Sequence, residues 1–273
     1  MDASELCAFL QSEADGDLLP LQAQSEAARR FAVTLAEVEE ASLRCGLLPS
    51  RYRRNRRTIS AEEQLRLFRS RVAVIGCGGL GGYVIEEAAR VGVGTLVLVD
   101  PDVFEEHNLN RQLLSSVADL GRPKVDAGRE RVASVNPAVT VVTHQAAFSE
   151  ENGRQLVGGS SAVVDALDSL STRRELVRVC RELEVPLVHG AIAGWYGQVT
   201  VQMPGKDMSG LLGSGQGKGV EQKLGNPSFT PAVIASLQAT ELVKVLLGRP
   251  TSLAGRALLV NLLDMVFERL GYE

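Results

Sequence analysis

Residues 76 to 81 read Gly76-Cys77-Gly78-Gly79-Leu80-Gly81, a GxGxxG that directly follows the apolar run Val72 to Ile75 and opens a helical stretch. In that strand-turn-helix setting the glycines let backbone approach a phosphate at a helix N-terminus, where free N–H groups favour negative charge. A second apolar run, Leu96 to Val99, ends at Asp100, where a carboxylate can accept hydrogen bonds from ribose hydroxyls. These features describe an adenine-nucleotide site, and they fit a nicotinamide dinucleotide almost as well.

The residues after Asp100 add chemistry that hydride transfer does not need. Asn108, Arg111 and Lys124 supply amide and cationic donors for a triphosphate. Asp168, in Asp165-Ala166-Leu167-Asp168 at a strand end, is placed to hold Mg²⁺. Together they suit attack on an α-phosphate.

Such a group needs a scaffold that gathers several strand ends. From Arg71 onward, short β-branched runs alternate with helical stretches: RVAVIG, TLVLVD, VTVVT, AVVDA, VPLVHG, GQVTVQ and ALLVNL. Buried runs separated by helices require a mostly parallel sheet covered on both faces. The expected class is α/β, a Rossmann-like three-layer sandwich with antiparallel C-terminal strands and a small N-terminal helical extension. Helices are expected over 82–91, 124–135, 172–183 and 231–247, the last with Thr230 as N-cap and Gly248 and Pro250 beyond its end. Residues 205–229, rich in glycine and without periodicity, read as a long mobile loop. Residues 1–50 fit two or three short helices, with Thr34 and Glu37 as a capping pair. The expected division is therefore an N-terminal helical extension, 1–50, and a nucleotide-binding domain, 51–273.

Over about residues 51 to 265 the chain resembles the adenylyltransferases of the MoeB/ThiF/HesA family, bacterial relatives of ubiquitin-activating enzymes. Beside the glycine turn, the resemblance is carried by several blocks in order. These are Arg51-Tyr52-Arg53-Arg54-Asn55, His107-Asn108-Leu109-Asn110-Arg111-Gln112, Gly121-Arg122-Pro123-Lys124, Asn136-Pro137, Asp165 to Asp168, Pro186-Leu187-Val188 with Gly190, Gly197-Gln198-Val199-Thr200 and Ser236-Leu237-Gln238-Ala239. It implies a homodimer that binds ATP and Mg²⁺ and adenylates the C-terminal glycine of a small ubiquitin-fold sulfur-carrier protein ending in Gly-Gly, for molybdopterin, tungstopterin or thiamine sulfur transfer. The resemblance assigns nucleotide binding to Gly76, Gly78, Gly79, Gly81, Asp100, Asn108, Arg111, Gln112, Lys124 and Asp168, with the metal on Asp168. Arg54 acts in the other subunit's site, and Arg54, Arg111, Lys124 and Asp168 form the catalytic set. His107 and His189 are expected in structural or binding roles.

The chain departs from the family pattern in its cysteines. It has no CxxC pair, so no zinc is expected, and residues 181 to 273 hold no cysteine to form a covalent link with the carrier. The expectation is a reaction that stops at the acyl-adenylate, with a separate persulfide donor; no rhodanese-like domain is expected after the core. All four cysteines, Cys7, Cys45, Cys77 and Cys180, are read as thiols.

Lys and Arg number 29 against 33 Asp and Glu, a net charge of −4, so no global field draws the chain to nucleic acid or an anionic membrane. The five arginines between Arg51 and Arg57 nevertheless keep an RNA-binding patch open. Apolar runs fall short of the ~20 residues of a membrane span, and the acidic N-terminus lacks a signal peptide's pattern, so a cytoplasmic protein is expected. The alternatives are a tRNA- or small-molecule-modifying enzyme of the same fold and an NAD-dependent oxidoreductase.

Overall fold

The computed structural model describes residues 3–212 and 221–272. In chain order the elements are α1 (Ala3–Ser12), β1 (Leu18–Leu19), α2 (Leu21–Phe31), α3 (Leu35–Arg44), β2 (Leu48–Pro49), α4 (Ala61–Phe68), β3 (Arg71–Ile75), α5 (Gly79–Val91), β4 (Thr95–Val99) and α6 (Lys124–Val135). They continue with β5 (Thr140–His144), α7 (Glu150–Val157), β6 (Ala162–Asp165), α8 (Leu170–Glu182), β7 (Leu187–Ala193), β8 (Tyr196–Gln202), α9 (Glu221–Leu224), α10 (Phe229–Leu247), β9 (Arg256–Asn261) and β10 (Val266–Gly271).

The main sheet has the order β10-β9-β8-β7-β6-β3-β4-β5. β7, β6, β3, β4 and β5 are parallel, and β8, β9 and β10 add to one side as antiparallel strands. Strand alternation sends Val72, Val74, Leu96 and Leu98 into a core beneath α5, α6 and α10. Ala73, Ile75, Val97 and Val99 face a second core beneath α7 and α8. Both faces are thus covered, and the three-layer α/β class is the observed one. The chain winds from β3 to β4 and β5, then returns to β6 on the other side of β3, so the order reverses between β3 and β6. In doubly wound sheets that reversal opens a crevice at the carboxyl ends of the strands.

α10 is long and apolar enough to cross a membrane by length and composition alone. Its buried Ile234, Ala235, Leu242 and Leu246 instead join the core beneath α5, and its buried Gln238 ties β6 to β7. Thr230 is not the N-cap of this helix; Ser228 holds that position, and the Thr230 hydroxyl donates to Gly194 O at 2.6 Å, pinning the helix start to the β7–β8 turn. The loop expected over 205–229 contains a 3-10 turn at Ser209–Leu212 and helix α9; residues 213–220 of it lie outside the described residues.

At the N-terminus Ala32 takes φ +52° and ends α2, and α3 restarts with the capping box of Thr34 and Glu37. α1, α2 and α3 enclose their own small core of Leu6, Leu10, Leu19, Ala27 and Val38. A second cluster, Leu43, Leu48, Tyr52, Phe68 and Ala138, joins these helices to the sheet. One expectation is corrected here: Cys7 and Cys45 form a disulfide, with Cα atoms 6.1 Å apart, because folding of the helices brings α1 against the C-cap of α3. Cys77 and Cys180 are the buried free thiols.

Candidate active site

The glycine turn leaves β3 at the reversal point, and its four glycines divide into two kinds. Gly76 sits at φ +96°, and a Cβ there would lie 2.6 Å from Ala166 O. A Cβ on Gly81 would overlap Gly76 O and stand 2.8 Å from Gly76 C. Both are demanded by the protein's own close packing of turn against helix. Gly78 and Gly79 are not: a Cβ on Gly79 would find its nearest neighbours, in Pro231 and Ile192, at 3.7 and 3.9 Å, and one on Gly78 would meet Gln112 Nε2 at 3.4 Å. Those two glycines, where a Cβ would make only van der Waals contact, lie at the start of α5, where free N–H groups gather.

Asp100 ends β4 beside this turn and is buried. Its Oδ2 accepts from Cys77 N–H at 2.7 Å and its Oδ1 from Asp102 N–H at 2.9 Å, so the carboxylate braces the turn as well as facing the crevice. Burial raises its pKa, against the pull of Lys124 and the two N–H donors. Lys124, the first residue of α6, is buried and places Nζ 2.9 Å from Asp102 Oδ2 and 4.0 Å from Asp100 Oδ1. Asn108 is also buried, its Oδ1 accepting from Glu105 N–H at 3.0 Å. Arg111 is half-buried, and its Nη1 donates to His107 O at 2.9 Å and to Asn110 Oδ1 at 2.8 Å. Gln112 is buried with Oε1 unpartnered, next to Gly78. Among the described residues that oxygen lacks a donor, which a nucleotide's ribose hydroxyls or adenine amino group could supply and its phosphates could not.

Asp168 follows β6 across the reversal point. It is exposed and makes no ion pair or side-chain hydrogen bond among the described residues. A free carboxylate next to a phosphate cradle fits Mg²⁺, which binds through one or two carboxylates and the substrate's own phosphates. Among the described residues no cluster of three or more His, Cys, Asp or Glu is arranged as an all-protein metal cage.

The turn that carries Asp168 is held from below by Asp165, Arg173, His189 and Gln198, none of them in the catalytic set that the sequence motifs define. Asp165 Oδ1 accepts from Leu167 N–H at 3.0 Å, Arg173 donates to Leu167 O, and His189 Nδ1 lies 2.7 Å from Asp165 Oδ2. Gln198 Nε2 is 3.2 Å from His189 Nε2, which makes the imidazole neutral with its proton on Nδ1. Burial pushes His189 down, outweighing Asp165. Burial alone would raise Asp165, but Arg173 and His189 overcome it and hold the acid below its usual range. The signal in the sequence was the doubled aspartate of DALD followed by an arginine on the next helix.

This pair sets a pH dependence. An unfolded histidine takes up a proton near pH 6.5 and the folded one does so only at lower pH, so its contribution is present above about 6.5 and is lost as pH falls. Asp165, with a lowered folded pKa, has the same sign in the carboxylate range further down. Urea unfolding should therefore show a midpoint that drops between pH 7 and 5, and His189→Gln should flatten that slope; a slope unchanged by the substitution would contradict the assignment.

Arg54 lies at the other end of the sheet from the glycine turn. Tyr52, just before it, packs on Gly92 ahead of β4 and receives a hydrogen bond from Asn136 ahead of β5, which are the amino ends of those strands. The glycine turn, Asp100 and Asp168 all lie at the carboxyl ends, about 16 Å away along β3. Arg53, Arg54, Arg56 and Arg57 line one surface cleft at the amino end. His107 is exposed near Glu105 and away from any catalytic pairing.

A doubly wound sheet with a phosphate turn, an acid after the second strand and cations at the reversal point defines a nucleotide-binding α/β protein. The chain belongs to the ThiF family, whose model matches residues 52–272. Among curated relatives it is 40% identical over 219 residues to the SAMP-activating enzyme E1 of Haloferax volcanii, covering 79% of this chain and 81% of that protein. It is 37% identical over 199 residues to the molybdopterin-synthase adenylyltransferase of Salmonella typhimurium, covering 70% and 79%. It is 35% identical over 228 residues to the sulfur carrier protein adenylyltransferase of Thermus thermophilus, covering 78% and 82%. In fold it is similar to the crystal structure of E. coli MccB with ATP, with a TM-score of 0.72 at 19% identity over 91% of this chain and 82% of that one.

Proposed function

We propose that this chain is an adenylyltransferase that uses ATP to activate the C-terminal glycine of a small ubiquitin-fold sulfur-carrier protein, releasing pyrophosphate. The observation that carries the reading is the gathering, near one strand reversal, of a glycine turn with room for a Cβ at Gly78 and Gly79, Lys124, Arg111, and a Gln112 oxygen and an Asp168 that have no hydrogen-bond or ion-pair partner among the described residues. The names of the relatives supply the substrate class.

The incoming carboxylate is already a nucleophile, so no general base is required. Its oxygen attacks the α-phosphorus, and the bond to the bridging oxygen breaks with its electrons on pyrophosphate. The protein's task is to align the two and neutralise charge on the phosphorus and the leaving group. Arg111 and Lys124 are the cations at hand; Lys124 would exchange Asp102 for a phosphate oxygen. Gly78 and Gly79 admit the phosphates to the start of α5, and Asp100 faces the ribose. Asp168 would hold Mg²⁺, whose charge would offset that of the phosphates.

Arg54, at the amino end of the sheet, cannot serve this crevice in its own chain, and that supports a homodimer in which it reaches the partner's nucleotide. An exposed apolar band suits the docking of a protein substrate: Leu263, Met265, Val266, Phe267 and Leu270 on and beside the edge strand β10, with Trp195 and Tyr196 at the β7–β8 turn. That turn is bonded to the loop entering α10, with Gly194 N–H on Gly225 O at 2.7 Å, and Asn110 donates to Asn226 O at 3.1 Å. The band therefore runs toward the nucleotide crevice. We assign no zinc, a separate persulfide donor and a cytoplasmic location to this reading.

The test is ATP–pyrophosphate exchange with a candidate carrier ending in Gly-Gly and with the same carrier lacking its last glycine. Exchange that depends on the intact tail is expected. ATP binding without exchange for any such carrier would overturn the reading in favour of a small molecule or tRNA as acceptor.

A further inference from the structure

The N-terminal helices end in a chain of buried polar contacts that leads straight to the arginine turn. Glu39, on α3, is fully buried; its Oε1 accepts from the Tyr52 hydroxyl at 2.7 Å and its other oxygen pairs with Arg51. Arg51 Nη2 donates to Gln24 Oε1 on α2 at 2.8 Å, and Gln24 Nε2 donates to Leu19 O at 2.9 Å. On the other side Asn136 Nδ2 donates to the Tyr52 oxygen at 2.7 Å and to Ala89 O, in the last turn of α5, at 2.9 Å. At the surface, outside this buried chain, Arg56 pairs with Asp17 at 2.6 Å, and Asp17 O also receives Leu48 N–H. Buried ionised groups are costly to leave unpaired, so this chain has one arrangement rather than several.

The turn itself is equally fixed. Asn55 N–H bonds Tyr52 O at 2.8 Å, and Thr58 and Ile59 N–H bond Asn55 O at 2.8 and 2.9 Å. Thr58 O is held in turn by Arg249 at 2.8 Å. Within this rigid frame Arg51 and Arg56 are taken up by the N-terminal helices, whereas Arg53, Arg54 and Arg57 are exposed and make no ion pair among the described residues. Two paired arginines thus sit among three unpaired ones, and among the described residues the cleft is lined by Arg53, Arg54, Arg56 and Arg57 with no acidic side chain. The family match begins at Tyr52, so the holders of this turn, Glu39, Gln24 and Asp17, lie outside it.

We propose that the N-terminal helices are the mount of the arginine turn, and that Glu39 is a positioning residue that aims Arg54 at the nucleotide bound by the partner subunit. The role is specific: the residue acts for the other chain's site and not for its own. The proposal rests on the reading of Arg54 given above.

A directed complementation separates the two. One chain carries Arg54→Ala and keeps an intact nucleotide crevice; the other carries Asp168→Ala and keeps its arginine. Co-expressed with different tags and purified through both, the mixed dimers have one crevice served by one arginine and should recover tail-dependent exchange that neither parent dimer shows. Glu39→Ala in the Asp168→Ala chain, the arginine donor, should cut the recovered exchange tenfold or more. The same substitution in the Arg54→Ala chain should change it less than twofold. Tyr52→Phe, which breaks the chain of contacts without opening a cavity, should repeat the asymmetry more weakly if Glu39→Ala disturbs folding. Equal losses from either chain, or no loss from the donor, would overturn the proposal. Failure of the mixed dimers to recover with Glu39 intact in both would overturn the reading of Arg54, and the proposal with it.

Discussion

Asp168→Asn should lower carrier-dependent ATP–pyrophosphate exchange by about 100-fold or more, the scale of losing one charge-stabilising group aimed at a transition state, while the protein melts as before. The structural half of this expectation follows from exposure. Asp168 touches no partner among the described residues, so its replacement removes no contact that holds the fold. Surface substitutions of that kind stay within about 0.5 kcal/mol. The chemical half follows from its place across the strand reversal from the glycine cradle, where a carboxylate can present Mg²⁺ to the phosphates. Exchange and thermal unfolding measured on one preparation decide it; activity within tenfold of the parent would mean that Asp168 does not carry this role.

The glycine turn offers the second large effect, because two neighbouring substitutions should fail in opposite ways. Gly81→Ala drives a methyl into the carbonyl of Gly76, which is backbone and cannot swing aside. Overpacking of a rigid site costs about 1–3 kcal/mol or more, and for a chain of this size each kcal/mol moves the melting temperature by about 2–4 °C. A fall of several degrees, with nucleotide binding lost as the turn opens, is the expected result. Gly79→Ala meets only ordinary contacts at 3.7 and 3.9 Å and exchanges a poor helix former for a good one. Its melting temperature should hold or rise slightly, yet ATP should bind at least tenfold more weakly, because the methyl occupies space left for the phosphates. Calorimetry with and without ATP reads both. Normal ATP binding by Gly79→Ala would mean that no phosphate approaches the backbone at that glycine.

That division among the glycines was closed to the sequence. The spacing of Gly76, Gly78, Gly79 and Gly81 after a β-branched strand announced a phosphate turn, and the alternation of apolar runs and helices announced the doubly wound sheet. Helix α6 begins and ends where its pattern places it, at Lys124 and Val135. Which glycine admits a ligand and which merely clears its own backbone depends on Ala166 and Gly76 O, contacts that no linear pattern contains. The short α7 and the edge strand β10 also escaped notice. β10 is exposed along its whole length and shows none of the alternation that burial imposes, and α7 spans eight residues, five of them charged or amide-bearing in its first two turns. Thr230 looked like a cap because it precedes a proline; tertiary structure used its hydroxyl to fasten the β7–β8 turn instead. The four cysteines were equal as letters, and only the folding of α1 onto α3 distinguishes Cys7 and Cys45 from the other two.

Placing the arginine turn and the phosphate cradle at opposite ends of one sheet also has a kinetic meaning. If each crevice is completed only by a second copy, the working unit exists only while two chains are together, and its amount follows the law of mass action. Specific activity would then fall on dilution below the dimer's dissociation constant, and a sparsely expressed chain would be silent even with ATP and carrier in excess. The separation of Arg54 from Asp168 would make the enzyme's output steeper than linear in its own abundance.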